Sequence, residues 1–260
     1  MMGILNVTPD SFSDGGHFFN NPRRAVTRAL QMQEEGADLI DVGGESTRPG
    51  ARAVSVEEEL RRILPVLEKL TGRLKIPLSV DTYKAVVAEQ ALRAGASLVN
   101  DVTALRDSRM PEVVARAKVP VILMHMRGEP QTMQRNPRYR QLVPEIISDL
   151  KQSIRKAKAA GISEDKILTD PGLGFGKRPQ DNLVLLKQLG VFKSLGFPVV
   201  VGPSRKSFIG IVTGAPPADR LGGTAAAVAL SVFSGADIVR VHDVAPMRQV
   251  VALADAVVRS

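Results

Sequence analysis

No cysteine occurs anywhere in the 260 residues, so disulfides, thiolate metal sites and cysteine nucleophiles are excluded. A reducing compartment suits such a chain, and the cytoplasm is its expected location. Aromatic residues are scarce, at 4%, and the net charge of +8 is carried by dispersed basic residues. A stacking platform for nucleic acid is therefore missing, and no nucleic-acid partner is expected. The basic balance serves anionic small substrates equally well. No apolar run approaches the ~20 residues that cross a bilayer, and the opening MMGILNV lacks the basic flank and long apolar core of a signal peptide. No membrane association is expected. Histidine is limited to His17, His125 and His242.

What remains, 44% apolar and 24% charged residues, is ordinary for a folded globular chain, and the length allows one barrel or two smaller domains. Short runs rich in Val, Ile and Leu recur at about 4–7, 38–43, 78–82, 98–102, 120–125, 167–170, 198–202 and 238–242, each followed by a stretch of helical periodicity. The clearest helix starts at Ser55, with Glu58 placed to complete a capping box and Leu60, Ile63, Leu64, Leu67 and Leu70 on one face. Pro65 interrupts it and should bend it. Other helices should end at Gly36, Gly95, Gly161 and Gly235. Strands alternating with helices imply a parallel sheet, and eight units at this length predict a single α/β domain over residues 1–260, a (β/α)8 TIM barrel. A doubly wound open sheet is the alternative.

A barrel concentrates its chemistry at the C-terminal ends of its strands. Those ends carry Asn6, Asp41, the run Glu45-Ser46-Thr47-Arg48, Asp81, Asn100, Asp101, His125, Asp170, Ser204-Arg205-Lys206, Arg240, His242 and Asp243. Carboxylates and amides in apolar strands are costly to bury unless something hydrogen-bonds them. For one such residue an ion pair or a loop cap is an equally good account; a whole ring at one face argues for a flat, hydrogen-bonding, anionic ligand. The stretch DPGLGFGK, residues 170–177, resembles a phosphate loop but fails its spacing. Pro171 stands where the first glycine belongs, and Arg178 stands where Ser or Thr should follow Lys177. It fails the dinucleotide fingerprint too, because the third glycine falls on Lys177.

The runs GILNVTPDSFSDGG (3–16), ESTRPGA (45–51), SVDT (79–82), NDV (100–102), MHMRGEPQTMQ (124–134), DPGLGFGK, SRKSFIG (204–210) and VRVHDV (239–244) together resemble the dihydropteroate synthase family, in the family's order and across nearly the whole chain. The resemblance implies a transferase of folate biosynthesis, a sulfonamide target. It joins a dihydropterin diphosphate to para-aminobenzoate after loss of diphosphate to a pterin cation. It implies a pterin pocket of Asp81, Asn100, Met124, Asp170, Lys206 and Arg240, with Asp170 reading the aminopyrimidinone edge and the Arg240 guanidinium against the ring face. Asp81, Asp170, Lys206 and Arg240 carry the catalytic assignment, and a fixed carboxylate would stabilise the cation.

By the same resemblance, Asn6, Arg48, Arg240 and His242 hold diphosphate, with Asn6 the contact to a Mg2+ ion that keeps most of its waters. Phe12, Thr47, Arg48, Pro49, Phe175, Lys206 and Ser207 form the aminobenzoate site. Residues 14–21 and 48–55 are candidate lids. Lys177 is expected to be a loop residue without part in catalysis. Family members are dimers through their last helices, and GGTAAAVALS (222–231) permits close packing, so a homodimer is expected. The family usually has a short segment ahead of the first motif, which this sequence meets after two residues; the expected effect is on stability and oligomer packing more than on chemistry. Two other readings stand: a pterin-dependent methyltransferase, against which SRKS and VRVHDV speak, and a non-catalytic pterin-binding module, against which Asn6, Arg48 and His242 speak. A metal-dependent hydrolase would need a His-x-His on the first strand, which offers Asn6 instead.

Overall fold

The structure, a computed structural model, describes residues 1–8 and 21–260. Phe12, His17 and nearly all of the first candidate lid lie outside the described residues. The strands are β1 (Met2–Asn6), β2 (Leu39–Gly43), β3 (Leu78–Asp81), β4 (Leu98–Asp101), β5 (Val121–Met124), β6 (Ile167–Asp170), β7 (Val200–Val201) and β8 (Ile238–Val241). All pair in parallel, in the order β6-β5-β4-β3-β2-β1-β8-β7. A parallel bridge between Thr169 and Val199 joins β6 to the approach of β7 and closes the ring. This is the expected (β/α)8 barrel.

Helices α1 (Pro22–Glu34), α2 (Val56–Leu70), α3 (Ala85–Arg93), α4 (Met110–Ala117), α5 (Leu142–Ala159) and α6 (Pro179–Lys187) follow the first six strands. After β7 come α7 (Ser207–Thr213) and α8 (Leu221–Phe233), and α9 (Val244–Arg259) follows β8. Ser55 caps α2 by accepting the Glu58 N–H at 3.2 Å, but the capping box is half made. The Glu58 carboxylate turns to Arg61 and Arg62, whose guanidinium groups donate to it at 2.9 and 2.7 Å. Ile63, Leu67 and Leu70 are buried as expected; Val66 and Glu59 join them, while Leu60 and Leu64 are only half-buried. The helix runs through Pro65 without a break.

Strand parity decides what the barrel holds, because alternate residues of a strand point to opposite faces. At the bottom Met2, Leu39, Leu98, Ile122 and Val200 meet as a dry plug. Two residues further along the same strands, the same inward parity brings Ile4, Asp41, Asn100, Met124 and Gly202 to the next level, with Ser79, Asp170 and Arg240 beside them by register. Another two residues on stand Asn6, Gly43, Asp81 and His242. The polar face therefore rests on an apolar floor, at the C-terminal ends of the strands. Asp101 and His125 have the opposite parity. They face the helices instead of the ligand side.

Candidate active site

Asp41 is fully buried at the centre of the polar level. Its Oδ2 accepts from Asn100 Nδ2 at 3.0 Å and from Arg240 Nε at 2.6 Å. The same guanidinium donates through Nη2 to Asp81 Oδ2, also at 2.6 Å. Asp41 Oδ1, Asp81 Oδ1 and the neighbouring Ser79 Oγ have no hydrogen-bond partner among the described residues. One guanidinium thus faces two carboxylates, and the buried acceptors left over require donors from a ligand or water. Burial pushes the Asp81 carboxyl up to about 7, with Arg240 opposing the shift and Asp41 adding to it.

Asp170 ends β6, and the Gly172 N–H donates to its Oδ1 at 2.7 Å. Burial raises its carboxyl to about 6, against the pull of that N–H and of Lys206. Gly172 adopts φ of 72°, and a Cβ there would lie 2.0 Å from the His125 carbonyl oxygen. No side chain fits, so the glycine is what brings this N–H to the carboxylate. Lys206 follows β7, and burial beside Arg240 draws its ammonium down to about 8 despite Asp170 and Asp81. Its Nζ sits 4.1 Å from the centre of the Phe175 ring, a cation–π contact. Phe175, Met124, Met126, Met133 and Val102 form a small buried apolar cluster beside the polar level.

These groups border a cavity of about 280 Å³. Asp81, Lys206 and Arg240 form its inner wall. Asn6, Arg48, His242, Thr47, Pro49, Phe175 and Ser207 line it as well. Of the predicted residues, Asn100, Met124 and Asp170 sit deeper, at most 6% exposed. Phe12 lies outside the described residues.

Several readings sharpen. The edge of Arg240 is held by Asp41 and Asp81, which fixes the orientation of the guanidinium plane and leaves its face available to a flat ring. His242 is neutral in the ligand-free protein. Burial, with Arg240 and Arg48 beside it, holds its imidazole well below the usual histidine range. Its Nδ1 faces Ser204 Oγ at 2.9 Å, while its backbone N–H donates to that same oxygen at 3.2 Å. The hydroxyl proton is then directed to Nδ1, which leaves Nε2–H as a neutral donor. Asp243 belongs to an ion pair. Arg205 donates to both of its oxygens at 2.9 and 2.8 Å and so steadies the turn that delivers Lys206. Asp101 caps its own loop through the Thr103 and Leu105 N–H groups.

Lys177 is the largest departure. It lies in the loop as expected but is 2% exposed, with Nζ donating to the Phe175 carbonyl at 2.9 Å and facing His125 Nδ1 at 3.0 Å. Burial lowers its ammonium to about 7. It fastens the glycine turn from below. Asp41 and Ser204 are the other residues sequence reasoning left without a role. Asp41 stood in the strand-end ring, and its inward parity with Leu39 was the available signal.

The comparisons agree with this geometry. A family model described as "Pterin binding enzyme" matches residues 2–242. The dihydropteroate synthase of Bacillus subtilis is 49% identical over 257 residues, covering 98% of this chain and 87% of that protein. The chain belongs to the dihydropteroate synthase family. The Yersinia pestis dihydropteroate synthase, solved with a sulfonamide drug complex, superposes with a TM-score of 0.96 at 45% identity, covering 100% of this chain and 94% of that one. The Xanthomonas albilineans dihydropteroate synthase in complex with 7,8-dihydropteroate gives a TM-score of 0.88 at 45% identity, with 98% and 92% covered. A dihydropteroate synthase needs a pocket for a polar bicyclic ring and one for a second aromatic acid. The inner wall and the mouth of this cavity are suited to the two.

Proposed function

We propose that the chain, acting as one domain over residues 1–260, condenses 6-hydroxymethyl-7,8-dihydropterin diphosphate with para-aminobenzoate to give 7,8-dihydropteroate and diphosphate. The observation that carries this reading is Asp81 lining a cavity that Lys206, Arg240 and Arg48 also line, with the second carboxylate, Asp170, buried beneath it and coupled electrostatically to Lys206 and Arg240. Two carboxylates suit the N–H edge of a pterin, and the cations suit a departing diphosphate.

In the reaction the bond between the pterin methylene carbon and the diphosphate oxygen breaks, and its electron pair leaves with diphosphate. The cationic methylene left behind is stabilised by Asp81 and Asp170, fixed charges in a site with little water. The aminobenzoate nitrogen then donates its lone pair to form the new C–N bond and loses a proton to water or to diphosphate. Arg48 and Arg240 supply counter-charge, and His242 supplies Nε2–H. Asn100 and Met124 complete the pterin pocket. Thr47, Pro49, Phe175 and Ser207 bound the aminobenzoate, with Phe12 assigned there by resemblance alone.

Magnesium fits as a hydrated cation. Asn6 offers one amide oxygen, and no group of three or more His, Asp or Glu among the described residues could hold a metal by itself. Bound at Asn6, the ion would shield diphosphate charge. Self-association is supported by the apolar side chains that α8 and α9 expose, among them Leu230, Phe233 and Leu253. Such a face favours a homodimer. No described helix is long and apolar enough to cross a membrane, which agrees with a cytoplasmic enzyme. The test is diphosphate release with each substrate alone and with both, with and without Mg2+. Release only with both supports the reading; saturable pterin binding without product would overturn it.

A further inference from the structure

The loop between β2 and α2 carries Thr47, Arg48 and Pro49 to the mouth of the cavity, and its two ends meet at one side chain. Lys84 stands immediately before α3, three residues after Asp81. Its ammonium donates to Glu45, at the start of the loop, and to the Val54 carbonyl, at its end, at 2.7 Å. A third bond, also 2.7 Å, goes to Glu59 Oε2 in the first turns of α2. Tyr83 adds a hydroxyl bond to Glu45 Oε1 at 2.8 Å. Glu45 and Glu59 are nearly inaccessible, and Lys84 is mostly covered, so these bonds are shielded from water.

The intervening loop makes two backbone bonds among the described residues. Between its ends, Gly50 N–H reaches the Pro130 carbonyl at 3.0 Å, and Ala51 N–H closes a local turn on the Arg48 carbonyl. Pro49 and Arg52 are exposed. A second cavity, of about 380 Å³, lies against Glu45, Ala51, Tyr83 and Lys84. Glu45 borders both cavities, so the start of the loop lies between two open spaces. Its two ends share one anchor, the Lys84 ammonium.

We propose that Lys84 is a positioning residue for the second substrate: by gathering Glu45, Val54 and Glu59 onto the turn that follows β3, it fixes the loop that presents Thr47, Arg48 and Pro49 to the aminobenzoate side of the cavity. The same turn continues the strand that ends in Asp81. Loop and reacting carboxylate are thereby referenced to one strand end. Lys84 touches no substrate in this reading, which rests on the proposed two-substrate function.

The experiment compares wild type with Lys84→Met, Lys84→Arg and the double variant Lys84→Met/Glu59→Gln, which leaves one fewer buried carboxylate unpaired if the single variant fails to fold. Pterin binding is read with 6-hydroxymethylpterin, which lacks the diphosphate, and turnover is read as KM for para-aminobenzoate. The expected result is a rise of about tenfold or more in that KM, with pterin affinity within about twofold of wild type and partial recovery in Lys84→Arg. Unchanged KM, or equal losses for pterin and aminobenzoate, would overturn the proposal. A second readout is independent of turnover: trypsin cleavage after the exposed Arg52 in the ligand-free chain should quicken in the methionine variants. If wild type turns nothing over, the functional reading has failed, and this cleavage rate alone decides the brace: an unchanged rate ends it.

Discussion

Arg240 Nη2 lies 2.6 Å from Asp81 Oδ2 while Nε of the same guanidinium lies 2.6 Å from Asp41 Oδ2, so among the described residues Asp81 is held at one oxygen and free at the other. The free oxygen is what a cationic methylene would meet. Asp81→Asn keeps the shape and a hydrogen-bonding oxygen for Arg240 but removes the charge. It should lower kcat by about 100-fold or more, the usual cost of deleting one electrostatic stabiliser of a transition state. Pterin affinity should fall much less. A kcat within a few-fold of wild type would remove Asp81 from the cation's stabilisation.

Asp170 predicts a pH dependence in the ligand-free protein. Its folded-state pKa is raised to about 6 from 3.8, so between those values the folded chain binds more protons than the unfolded one. Its contribution is then fully present below about 4 and is lost as pH rises through 6, a swing on the order of 3 kcal/mol. Asp170→Asn should therefore raise the thermal midpoint at pH 7.5 and leave it nearly unchanged at pH 4. The same variant, and Asp170→Ala more severely, should lose pterin binding in calorimetry. Retained affinity would sink the assignment.

Lys177 runs the other way. Its ammonium is lowered to about 7 from 10.5, so the unfolded chain binds more protons between those values and stability gains as pH rises across the window. Lys206 has a shift of the same sign, which makes the comparison with a variant necessary. The midpoint difference between wild type and Lys177→Met should move in favour of wild type from pH 6.5 to pH 9. A constant difference would mean that the carbonyl of Phe175 and the ring of His125 keep Lys177 fully charged.

Eight strands and the location of the polar face were legible because hydrophobic runs and helix-ending glycines are local signals; strand ends were not, since β1 begins at Met2 and β7 is only Val200–Val201. The candidate ring was legible only as a set. Sorting it required strand parity, which a run such as LVND already contains: Leu98 and Asn100 share the inward face, while Asp101 belongs with Val99 on the other. His125 fails the same test against Met124. Lys177 and Lys84 were beyond reach for a different reason. Each acts through carbonyls and side chains brought from other elements, and no spacing in DPGLGFGK or DTYK encodes those partners.

His242 yields the last prediction. Its imidazole is buried among Arg240, Arg48, Arg205 and Lys206, all of which disfavour a further positive charge. Ser204 satisfies Nδ1. The ring is therefore a neutral donor in the ligand-free protein, and it is expected to stay one during turnover. His242→Gln retains an N–H donor of similar reach and should keep kcat within about tenfold, whereas His242→Ala should lose considerably more, since the donor facing diphosphate is gone. The wild-type kcat profile between pH 5.5 and 8 should contain no limb that disappears in the glutamine variant. A limb near pH 6.5 that His242→Gln abolishes would show instead that the imidazolium forms and that diphosphate meets a charge there.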